Sequence, residues 1–79
     1  MINLNELELT WWQKDDIEDL IENHYPDLLE KNITALSALE KSLWCEARRK
    51  EDEMLRIGNK AGTIEMLIRK ILEKNEKVL

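Results

Sequence analysis

The stretch LEKNITALSALEKSLWCEARRKEDEMLRIGNKAGTIEMLIRKILEKNEKV, residues 29–78, decides the fold. Alternating steps of four and three through it pick out Leu29, Ile33, Leu36, Glu40, Leu43, Ala47, Lys50, Met54, Ile57, Ala61, Ile64, Ile68, Ile71, Asn75 and Val78. Twelve of these fifteen are apolar, so one face of a helix stays apolar for about seven heptads. Such a face is the seam of a coiled coil or helix bundle. The fold class is therefore all-α, with about three helices and a long central helix as spine.

Within the stretch, GNKAG at residues 58–62 holds both glycines of the chain, with Asn59 between them. That is helix-stop chemistry. Helix 2 then starts between Asp27 and Thr34 and runs to about Ile57. A third helix, TIEMLIRKILEKN, follows from Thr63 as its N-cap, and helices 2 and 3 form an antiparallel hairpin. The rival is one continuous helix of about fifty residues, each glycine costing about 1 kcal/mol relative to alanine. The unbroken phase through Ile57, Ala61 and Ile64 favours the rival, and the loop chemistry favours the hairpin, which is the preferred reading.

Upstream, Thr10 and Gln13 have the spacing of a capping box, and Ile17, Leu20, Ile21 and His24 follow on one face. Helix 1 therefore begins near Trp11. Pro26 disfavours helical geometry at Tyr25 and ends it there. Residues 1–9 read as an irregular arm or a short helical turn, with Asn5 and Glu8 at a second capping-box spacing. The chain is one domain with two parts, an acidic head over 1–30 and a heptad stem over 31–79.

Charge sharpens that division. The head holds nine acids and one base, the stem eight acids and eleven bases, within a net charge of −5. A head at −8 argues against non-specific nucleic-acid binding there and favours a partner with a basic surface. A 79-residue chain buries a small core and needs a supplement. The lone Cys45 excludes an internal disulfide, so oligomerisation, most simply a homodimer, is the expected supplement. Its seam would use Leu36, Leu43, Met54, Ile57, Ile64, Ile68 and Ile71. The single cysteine fits a reducing compartment, and no run approaches the eighteen apolar residues of a membrane span. The expected setting is cytoplasmic.

No catalytic, metal or cofactor motif stands out. His24 lies among Asp19, Glu22 and Asp27, but one histidine with scattered carboxylates is a poor ligand set. Cys45 has no base on its own helix. Arg48, Arg49 and Lys50, with Arg56 and Lys60, form the one basic cluster. Acids interrupt it, and pairing of Arg48 with Asp52 and Arg49 with Glu53 accounts for its charges. A helix-turn-helix DNA reader using Arg48, Arg49 and Arg56 is one rival reading. An acidic inhibitor occupying the basic surface of a nucleic-acid-handling protein is another, and a metal-carboxylate enzyme ranks last.

Trp11 and Trp12 carry the main expectation. At 100° per residue both fall off the Ile17–Leu20–Ile21 stripe, so helix 1 cannot bury both against its own core face. Tryptophan concentrates at binding hot spots because it offers a large rigid surface and one donor. Flanked by Asp15, Asp16 and Asp19, the pair is the expected contact of a non-enzymatic interaction module. The alternative packs one tryptophan back on helix 2 or on Trp44.

Overall fold

A computed structural model describes the backbone of residues 2–78 and the side chains as far as Asn75. Three helices make up the fold: α1 (Trp11–Asn23), α2 (Ile33–Arg49) and α3 (Met54–Val78), with three short 3-10 turns at Leu4–Glu6, Leu28–Glu30 and Glu51–Glu53. Among the described residues there is no strand.

The start of α1 is the capping box read from the sequence. The Gln13 amide donates to Thr10 Oγ1 at 3.3 Å, and the Thr10 amide donates to Gln13 Oε1 at 3.0 Å. These bonds satisfy two donors that the first helical turn leaves open. At the other end, the His24 and Tyr25 amides both donate to the Leu20 carbonyl, and Pro26 follows. Ile17 and Leu20 are buried from α1. The connection to α2 is anchored by Leu28, which is fully buried, whereas its neighbour Leu29, the expected start of the seam, is only half buried. Asn32 then caps α2 by accepting the Ala35 amide at 2.8 Å.

The turn between α2 and α3 is not at the glycines. It lies at Lys50–Glu53, in a charged run without glycine or proline. Gly58 and Gly62 sit inside α3 with negative φ, and α2 stops at Arg49 rather than near Ile57. The hairpin exists with its corner one heptad earlier, and the single fifty-residue helix does not. Two forces place the corner. Lys50 is the one charged seam position between Leu43 and Ile57, so the apolar face is weakest there. In addition, α2 ends on Arg48 and Arg49 while the α3 side opens on Glu51, Asp52 and Glu53. Bases at a helix C-terminus and acids at an N-terminus each oppose the local end of the macrodipole. The expected Arg48–Asp52 and Arg49–Glu53 pairs are replaced by Lys50 with Glu46 and Glu53, and by Arg56 with Glu53, at 3.3–3.9 Å.

The hairpin closes on the seam. Leu36, Leu43 and Ala47 of α2 and Ile57, Ala61, Ile64, Leu67 and Ile68 of α3 are all buried. Ile71 packs at the edge of this core, near Ile2 and Ile33. Burying one such aliphatic side chain is worth about 1.5–3 kcal/mol. Met54 departs from expectation: the corner removes it from the seam, and it is 54% exposed. Glu40, a polar seam position, stays half buried and accepts the Trp44 indole N–H at 3.1 Å. Asn75 is exposed, and the Val78 side chain lies outside the described residues.

At 25 residues α3 is longer than α2 at 17. The N-terminal arm lies beside its C-terminal part, where Glu6 pairs with Lys74. Leu7 is buried in the common core, and the Ile2 amide donates to the Leu29 carbonyl at 2.8 Å. The arm is thus irregular with one short turn. Its cap is Asn3, which accepts the Asn5 amide, rather than an Asn5–Glu8 box.

Candidate protein-interaction surface

The outer face of α1 is the most unusual surface of the molecule. Ile17 and Leu20 turn inward and Ile21 packs at the core's edge, which leaves the opposite face to solvent. Trp12, Asp16 and Asp19 share one stripe at i, i+4 and i+7, and Trp11 with Asp15 forms the next. Trp11 is 81% exposed and Trp12 52%; Asp15, Asp16 and Asp19 are exposed as well. The structure thus brings all five expected contact residues onto two turns of one capped helix. Neither head tryptophan packs away as core. Trp44 instead lays its ring across Gly58, where a Cβ would stand 3.4 Å from Cζ3.

Beside the Trp12 stripe an open groove of about 530 Å³ runs between α1 and α3. Trp12, Asp16 and Asp19 line one side, and Gly58, Gly62 and Met66 line the other. Its floor is low because Gly62 has no side chain: a Cβ there would meet nothing within 4 Å. This groove is not legible in the sequence, since its far wall depends on where α3 begins.

The other candidates resolve as follows. Asp19 is engaged on its own helix, its Oδ1 accepting from Asn23 Nδ2 at 2.7 Å, and Asp27 lies 3.9 Å from Lys31. Among the described residues no three His, Cys, Asp or Glu side chains converge as a metal would need. Cys45 is an exposed free thiol. Arg48 and Arg49 end α2 while Arg56 opens α3, so the bases surround a hairpin corner instead of lining one helix. Among the described residues no helix is long and apolar enough to cross a membrane. Burial, and then the charge of Glu46, raise the Tyr25 phenol above its ordinary value of 10.0.

No protein-family model matches the chain, and no curated protein or solved structure shows significant similarity to it.

Of the seven expected seam positions, Leu36, Leu43, Ile57, Ile64 and Ile68 are buried within one chain. Sequence reasoning passed over Leu55, which is 80% exposed. The signal was present: Leu55 is a large apolar residue off the heptad phase, followed directly by Arg56.

Proposed function

We propose that this chain is a non-enzymatic protein-interaction module whose α1 face binds a protein with a basic surface. One observation carries the reading: Trp11 and Trp12 stand exposed on the first turn of a rigidly capped helix, one turn ahead of Asp15 and Asp16. Exposed tryptophans on a fixed backbone lose little entropy on docking, and surrounding carboxylates steer a basic partner and speed encounter. The deciding experiment compares wild type with Trp11→Ala and Trp12→Ala for capture of a partner from the source cells. Circular dichroism should stay unchanged for both, while each weakens binding by about 2 kcal/mol or more, the usual hot-spot threshold. An unfolded Trp12→Ala would show that the residue is structural and end the proposal.

A second reading has its own support. Asp15, Asp16, Glu18, Asp19 and Glu22 are all exposed along α1, the kind of anionic face that would occupy a nucleic-acid-binding surface. In that case duplex DNA or RNA competes with this chain for the captured protein. Indifference to nucleic acid leaves the first reading.

A further inference from the structure

We infer that two copies of this chain associate through the outer face of α3, with Leu55 of each copy seated over Gly62 of the other. The inference goes beyond the head-binding reading: Trp12, Asp16 and Asp19 of that surface also line the groove involved, whereas Trp11 and Asp15 lie outside it.

One face of α3 carries a mismatch. Leu55, Asn59, Gly62 and Met66 follow at steps of four, three and four, so they share a face opposite the core positions Ile57, Ala61, Ile64 and Ile68, with Met66 also half buried against the core. At one end of that face stands Leu55, 80% exposed. Two turns on lies Gly62, with open space where a side chain would be, walled by Trp12 and Met66. The backbone does not require glycine there, since φ is negative. One chain therefore carries an apolar knob and, on the same helix face, a hole with Trp12 and Met66 among its walls.

A two-fold axis satisfies both at once. If α3 packs antiparallel on its copy about a centre between Gly58 and Asn59, position 55 of each helix falls opposite position 62 of the other. The contact is isologous and closes on itself, with each knob in the other's hole. Charge agrees with this register. Lys60 and Thr63 line the groove with Asp16 and Asp19, and Arg56 lies on the same flank of α3 as these two. The two-fold operation keeps that flank on one side, so Arg56 of the second copy arrives at the Asp16 and Asp19 carboxylates. Among the described residues Arg56 pairs with Glu53 at 3.3 Å, an exposed contact. A second copy thus supplies both the apolar filler and the opposite charge.

Sedimentation equilibrium of the whole chain at micromolar to hundred-micromolar concentration tests this. The expected mass is twice the 9.4 kDa of the chain, with association weakening as salt rises. Leu55→Glu should give a monomer of unchanged helicity, since Leu55 supports no core. Gly62→Leu should weaken dimerisation at least tenfold by filling the hole. Arg56→Glu should weaken it, and adding Asp16→Arg in the same chain should restore it. In a Cys45→Ser background, mixed Leu55→Cys and Gly62→Cys chains should form a disulfide between copies. A wild-type monomer at all concentrations overturns the inference and leaves the face to a foreign protein. A dimer that survives Leu55→Glu also overturns it and places self-association elsewhere. Capture of a basic protein by the Leu55→Glu monomer, still lost with Trp11→Ala, keeps the head reading separate whichever way this falls.

Discussion

Two short stretches of this chain behave opposite to their composition. The run 50–53, KEDE, has neither glycine nor proline, yet the chain turns there; the run 58–62, GNKAG, has two glycines, yet it is continuous helix. Glycine lowers helix propensity by about 1 kcal/mol, and that penalty is small beside a buried aliphatic stripe. Ile57, Ala61 and Ile64 flank the glycines and are buried on one face; ending the helix at Gly58 would pull Ala61 and Ile64 out of line. At Lys50 the stripe has nothing to lose, because the seam position is already charged. Tertiary burial decides where the helix must persist, and local chemistry decides only where burial is indifferent.

The largest effects should follow that division. Leu36→Ala and Ile64→Ala remove fully buried side chains on facing helices, and each should cost about 2–5 kcal/mol in chemical denaturation. Met54→Ala, seven residues before Ala61 in the same heptad phase, should cost about 0.5 kcal/mol or less, as surface changes do. Equal losses at Met54 and Ile64 would return the corner to the glycines. Proline probes the corner directly. Gly62→Pro places an imino acid in the interior of α3 and should cost about 3 kcal/mol or more. Glu51→Pro meets the first residue of a 3-10 turn, where no helical donor is lost, and should cost far less. The reverse order in melting temperature would refute the placement of the turn.

Legibility followed the same logic. Thr10 with Gln13 and Pro26 after α1 each act through hydrogen bonds or sterics within four residues, so the sequence displays them directly. The apolar phase is equally local, and Leu36, Leu43, Ile57, Ile64 and Ile68 are all buried as it implied. The corner at Lys50 was not legible because it reflects a comparison between two packings, and glycine speaks louder locally than a charged seam position. Leu28 was misplaced by one residue because the 3-10 turn at Leu28–Glu30 breaks the helical phase that assigned the seam to Leu29. In the head, the off-stripe angle of Trp11 and Trp12 was readable, whereas the groove beside Trp12 needed the position of α3.

Alanine at the glycines should act in the stabilising direction. Gly62→Ala gains helix propensity and its Cβ meets nothing, so stability should rise by about 1 kcal/mol. Gly58→Ala brings its Cβ to 3.4 Å from Trp44, an ordinary contact, and should stabilise by the same amount or somewhat less. Were either glycine a helix stop in the left-handed region, alanine would destabilise instead. The sign of the change in melting temperature is enough to decide.

The smallest effect concerns why the corner holds its place once the seam permits it. Arg48 lies in the last turn of α2, where its charge opposes the negative end of the macrodipole. Arg48→Glu should therefore cost about 0.3–1 kcal/mol at low salt. Lys41→Glu makes the same charge change on the same helix at an exposed position near its middle, far from either end. It should cost distinctly less, because the dipole effect fades within a turn. Both variants add the same net negative charge to an acidic chain, so general repulsion cancels in the comparison. Raising the salt should shrink the difference between them, since screening removes the interaction with the helix end. If the two variants match at every ionic strength, the dipole has no part in setting the corner, and the weak seam at Lys50 must set it alone.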